Sequence, residues 1–94
     1  MRIIARHVAI ESAAEPERFC SWAREVAASE GAEGWAAATG AGVEVWLEGT
    51  SPAVEAMIDW CASIIEVPRE ALAVTEQQPA LKGGFDVLDA PPGA

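Results

Sequence analysis

The side chains best suited to chemistry lie in one stretch, "AIESAAEPERFCSW", residues 9 to 22. It holds a thiol at Cys20, a guanidinium at Arg18, and the carboxylates of Glu11, Glu15 and Glu17. An apolar strand runs into it and an amphipathic helix runs out of it. At such junctions the N–H groups of a glycine-rich loop and a helix N-terminus often cradle a phosphate. This stretch contains no glycine, and Pro16 has no N–H to donate. Near the start of a helix the macrodipole favours a thiolate, so Cys20 would suit a nucleophile or redox centre. The simpler reading is packing: Glu17 and the general acidity oppose a thiolate there. His7 is the only histidine, and no Cys-His or Ser-His-Asp spacing is evident. The scattered carboxylates lack the spacing of an EF-hand or another ligand loop and read as a solvated surface. No metal and no cofactor are expected.

The elements that position these groups follow from periodicity. Residues 2 to 10 alternate as a strand, with Ile4, Val8 and Ile10 on one face and His7 and Ala9 on the other. Pro16 suits the first turn of a helix. Phe19, Trp22, Ala23, Val26 and Ala27 then recur at helical spacing, which predicts a helix over about 16 to 29 that ends at Gly31. "GWAAATGAGVEVWLEG" predicts a hairpin turning at Gly40-Ala41-Gly42, with Val43, Val45 and Leu47 inward and Glu44, Trp46 and Glu48 outward. A second helix starts at "TSP", with Ser51 as N-cap and Pro52 first in the helix; its buried stripe is Val54, Met57, Ile58, Cys61 and Ile65. "ALAVT" and "FDVL" are short strands, the latter with Phe85 and Val87 on one face. Trp22, Trp35 and Trp60 read as core or core-edge residues, and residues 89 to 94 as a frayed tail.

The order β-α-β-β-α-β with a fifth strand predicts a ferredoxin-like α+β sandwich: an antiparallel sheet with both helices on one face. The 94 residues make one domain, with its core over about 3 to 88. Fifteen Asp and Glu against six Lys and Arg give a net charge of −9 with no basic run, a surface that repels nucleic acid and anionic membranes. No run is long enough to span a bilayer, and "MRIIARHVAI" is too short and too broken by charge to be a signal peptide, so a cytoplasmic location is expected. Cys20 and Cys61 then read as reduced, half-buried thiols.

Several strings resemble the acylphosphatase family over about residues 3 to 88. "GAEGW" is similar to the family's turn ending in Gly-Trp. "GVEVWLEGTSPAVEAMIDW" is similar to its Gly-x-Val-Glu-Val strand, Glu-Gly and helix. "GGFDVL" is similar to its closing Gly-x-Phe-Glu-Ile strand, and "RHVAI" to its first strand. The resemblance implies hydrolysis of carboxyl phosphates by two elements. One is a Gly-Arg-Val-Gln-Gly-Val-Gly-Phe-Arg loop whose N–H groups and final arginine hold the phosphate; the other is an asparagine, three residues after the Gly-Trp tryptophan, that positions water. Such a site needs converging donors and positive charge.

Aligned on Trp35, Phe19 falls on the loop phenylalanine, the arginine position is Cys20, and the asparagine position is Ala38. The loop glycines become Ser12, Pro16 and Arg18, among Glu11, Ala13, Ala14, Glu15 and Glu17. One carboxylate facing a phosphate at roughly 4 Å would cost about 4 kcal/mol at an effective dielectric of about 20. Arg18 is the residue that a small slip of the loop would bring to the site, and Thr39 the residue a strand shift would bring to the asparagine position. The expectation is therefore a degenerate, non-catalytic acylphosphatase-like protein acting as a small interaction module. Its expected contact surface is the open sheet face around Trp46 and His7, toward a protein partner or a second copy. The alternatives are an acylphosphatase with displaced catalytic groups and a thiol-dependent activity at Cys20.

Overall fold

The computed structural model describes residues 2–11 and 14–92. Ser12 and Ala13 of the expected loop, and residues 93–94 of the expected tail, lie outside the described residues. The elements run β1 (Ile4–Glu11), α1 (Pro16–Glu30), β2 (Glu33–Ala38), β3 (Gly42–Gly49), α2 (Ser51–Ile64), a 3₁₀ turn (Arg69–Ala71), β4 (Ala73–Gln77) and β5 (Phe85–Leu88). The strand order is β4-β1-β3-β2-β5. This is the expected two-layer α+β sandwich, with α1 and α2 over one face of the sheet. No described helix is long and apolar enough to cross a membrane.

Local chemistry accounts for most boundaries. Pro16 occupies the start of α1, and Gly31 ends it at φ 77, a conformation that favours glycine; the N–H groups of Gly31 and Ala32 return to the Ala27 carbonyl. For α2 the N-cap is Thr50 and not Ser51, and no side chain caps the helix. Both residues are hydroxyls beside Pro52, so the sequence pattern leaves a one-residue ambiguity. The hairpin turn is closed by Thr39, whose Oγ1 accepts from the N–H groups of Ala41 at 3.1 Å and Gly42 at 2.9 Å. At Gly42 a Cβ would lie 2.0 Å from the Ile10 carbonyl oxygen, so the turn must re-enter the sheet as glycine.

The core lies between helices and sheet. Val8, Val43, Val45 and Leu47 rise from the sheet to meet Val54, Met57, Ile58 and Cys61 of α2 and Phe19, Cys20, Ala23 and Ala27 of α1. Both thiols are free and fully buried, deeper than expected. Two tryptophans also differ from expectation. Trp22 is 37% exposed on α1, while Trp35 pairs across from Trp46 and so faces away from the helices. Trp60 does pack at the core edge, its ring 5.1 Å from that of Phe19.

The sheet is mixed rather than antiparallel, because β5 pairs with β2 in parallel. The reason is the length of the last connection. β4 ends beside Ala5, at the end of the sheet where β1 and β2 begin. From Gln77 to Phe85 only residues 78–84 are free, and β5 lies four strand positions away. Four spacings amount to about 19 Å, and the segment reaches about 25 Å when fully extended. Crossing the sheet end uses most of that reach, so β5 starts where β2 starts and runs the same way.

Candidate functional site

The β1–α1 junction carries most of the sequence-predicted site. Glu11 ends β1 exposed, Ala14 is exposed, and Glu15 is the residue preceding α1. From Pro16 the chain is already helical, so Glu17 and Arg18 lie on the outer surface of the first turn, while Phe19 and Cys20 turn inward. Arg18 is directed along the helix and not into the sheet: its Nη1 is 3.6 Å from Glu15, and its guanidinium lies 4.7 Å above the Trp22 ring. Cys20 is 1% exposed. Burial raises its thiol pKa above the ordinary 9.0, and the neighbouring Glu17 raises it further. A dipole effect therefore does not prevail there, since Cys20 is one turn inside the helix and shielded from solvent.

Ala38 is the last residue of β2, half-buried and paired with Val43. Thr39 follows it with its hydroxyl oxygen engaged by the two turn N–H groups. A depression of about 450 Å³ opens beside the junction. Its described wall combines Glu11, Glu15 and Glu66 with Phe19, Trp22, Ile64 and Val67, and includes no Lys or Arg.

The opposite face of the sheet holds the other predicted residues. His7 Nε2 lies 2.8 Å from Glu44 Oε1, and the His7 ring is 6.3 Å from that of Trp35. His7 and Cys20 thus occupy opposite faces of the sheet and do not form a pair. Trp46 lies beside Trp35, their rings 6.4 Å apart and inclined by 15°. The 78–84 connection crosses this face and is tied to it by Glu48, a carboxylate only 3% exposed. Glu48 accepts from the indole N–H of Trp46 at 2.6 Å, from the Ala80 N–H at 2.6 Å and from the Leu81 N–H at 3.0 Å. Burial alone would raise its pKa; the Ala80, Trp46 and Leu81 donors outweigh that and hold it below the ordinary 4.5. Glu33 adds a weaker bond to the Gly84 N–H at 3.3 Å.

Between the connection and the sheet lies a cavity of about 350 Å³, walled by Trp35, Trp46, Glu33, Glu48, Lys82 and Asp86, with Leu88 and Pro92. Sequence reasoning placed Trp46 here but missed Trp35 and the role of Glu48. A signal for Trp35 existed: a hairpin that turns at 39–42 puts Trp35 opposite Trp46, and Trp46 was expected to face outward. Nothing in the sequence near Glu48 pointed to a connection 32 residues further on. Among the described residues, no group of three His, Cys, Asp or Glu side chains is placed to hold a metal ion.

Solved structures share this arrangement. Full-length HypF, in a phosphate- and nucleotide-bound form, matches with a TM-score of 0.77 and 21% identity over 93% of this chain, which spans 12% of that longer one. An acylphosphatase from Coxiella burnetii matches with a TM-score of 0.77 and 18% identity over 92% of this chain and 93% of its own. The fold is acylphosphatase-like. An acylphosphatase from Bacillus subtilis matches with a TM-score of 0.69 and 17% identity, over 93% of this chain and 99% of its own. No protein-family model and no curated protein matches the chain, so the acylphosphatase likeness is one of architecture. Identity at this level carries the fold and leaves the chemistry to the side chains present.

Proposed function

We propose that this chain is a non-catalytic acylphosphatase-fold protein, a small cytoplasmic binding module that works through its open sheet face. Its partner in this reading is a protein or a second copy of the chain; the charge of −9 makes nucleic acid and anionic membranes poor partners. The observation that carries the reading is the state of the β1–α1 junction. The position that resembles the catalytic arginine is a buried thiol, the guanidinium of Arg18 is engaged by Glu15 and Trp22, and the adjoining depression sets three carboxylates among apolar side chains with no Lys or Arg among its described residues. An anion there would meet repulsion where acylphosphatase chemistry needs converging donors and positive charge. The high pKa and burial of Cys20 likewise weigh against a thiol-dependent activity.

The test is a benzoyl phosphate hydrolysis assay run beside a titration of inorganic phosphate followed by ¹⁵N NMR. The expected result is no enzyme-dependent turnover and no saturable shift in residues 11–20. Turnover that disappears in Arg18→Ala would establish instead an acylphosphatase with displaced catalytic groups.

A further inference from the structure

The cavity beneath the 78–84 connection has an electrostatic feature that packing alone does not explain. Glu48 is almost wholly buried, and its three hydrogen-bond donors are all neutral groups. Among the described residues no Lys, Arg or His forms an ion pair with it. Buried charges are ordinarily paired with an opposite charge, because hydrogen bonds satisfy lone pairs without cancelling the net charge. Here a carboxylate with no ion-pair partner among the described residues forms part of the wall of an open cavity. Glu33 and Asp86 add two further carboxylates to the lining, so that among the described residues three negative groups face the ammonium of Lys82.

The rest of the wall suits a cation with an apolar body. Trp35 and Trp46 supply two nearly parallel indoles. The Trp46 N–H donates to the Glu48 carboxylate at 2.6 Å, which polarises that indole and makes its ring face more negative. The volume of about 350 Å³ lies near the lower end of small-molecule pockets, which run from roughly 300 to 1,000 Å³. The acidic field of the whole chain would raise the local concentration of such a ligand.

The geometry points to this cavity as a binding site for a small organic ammonium ion on an aromatic or apolar body. The body lies against Trp35 and Trp46, and the charge faces Glu33, Glu48 and Asp86. The site deepens the binding reading above, and it rests on that reading only in giving the open face a binding role.

The probe is 2-phenylethylammonium chloride, compared at constant ionic strength with 2-phenylethanol and 3-phenylpropionate. Binding is followed through the four indole N–H signals in ¹⁵N–¹H spectra of the whole chain. The ammonium probe is expected to shift the Trp35 and Trp46 signals saturably and to leave Trp22 and Trp60 in place. It should bind about tenfold more tightly than the neutral alcohol, and the carboxylate should not bind. The double variant Glu33→Gln/Asp86→Asn changes two exposed side chains and should keep its melting temperature while weakening the ammonium probe about tenfold. Equal binding of the alcohol and the ammonium ion, an absence of saturable shifts, or shifts confined to Trp22 and Trp60 would each overturn the assignment. The benzoyl phosphate assay separates the two readings. Turnover would refute the non-catalytic reading without touching this site, and failure of the probe would remove this site while leaving that reading intact.

Discussion

Glu48 shows how one side chain can join distant parts of a chain. Its two oxygens take three N–H donors, two of them from the 78–84 connection. Glu48→Gln replaces one acceptor oxygen with an NH₂ group that confronts a donor, so one of these half-buried N–H groups loses its partner. The variant should lose about 1–2 kcal/mol in urea unfolding, and the amides of Ala80 and Leu81 should exchange faster with solvent. The two thiols make a contrasting case. Both are buried, Cys61 has its pKa pushed up to about 12 by burial, and that of Cys20 is raised by burial and by Glu17. At pH 7 both should react with a disulfide reagent at least about tenfold more slowly than a free model thiol, and both should react fully once the chain is unfolded. Rapid labelling of Cys20 in the native protein would revive the thiol-dependent alternative.

At the scale of elements, the strings that resemble acylphosphatases turn out to be structural requirements. Gly34 of the Gly-Trp pair sits at φ 136, and a Cβ there would lie 1.7 Å from the Trp46 carbonyl oxygen. Its N–H also donates to the Gly84 carbonyl at 2.8 Å, tying β2 to the start of β5. No other residue type fits without moving β3. Gly34→Ala should cost about 3 kcal/mol, from backbone strain and overpacking together. Gly40→Ala, in the same hairpin with open space around it and no positive φ, should change stability by less than about 0.5 kcal/mol. Urea denaturation of the two variants side by side checks the difference. The β1–α1 junction imposes no comparable constraint among its described residues: α1 begins at Pro16 without a side-chain cap.

For the whole molecule, stability should fall at both ends of the pH range, with an identifiable group at each end. The Glu48 pKa is depressed in the folded state, so the ionised carboxylate favours folding. That contribution is complete above the ordinary value of 4.5 and is lost as the pH falls through the lower folded value. The Cys61 pKa is raised, so its neutral thiol favours folding; that contribution is complete below 9.0 and is lost as the pH rises toward about 12. Thermal unfolding scans from pH 3 to 11 should therefore show a plateau with two declines. Glu48→Gln should flatten the acid decline, and Cys61→Ala the alkaline one, each relative to its own plateau. Parallel slopes in variant and wild type would refute the assigned group.

How much was legible in the chain depends on whether a feature is local. Alternation in "RIIARHVAI" and "GVEVWLEG", helical spacing after Pro16 and Pro52, and the stop at Gly31 each depend on residues within a few positions. By itself the sequence therefore determined the elements, their order, the two-layer fold and the outward direction of His7 and Trp46. The absence of glycine from residues 9–22 was legible for the same reason, as a matter of residue types within one short stretch. Tertiary structure alone decided the parallel pairing of β5, because that follows from the span of residues 78–84 across the sheet end. It also decided the burial of Glu48 and the cavity that Glu48 shares with Trp35 and Trp46, which join β2, β3 and the last connection. The same holds for Arg18, whose place in the first helical turn sets its guanidinium over Trp22. A side chain's type is written in the sequence, but its partners, and so its charge state and its use, are set by segments far away along the chain.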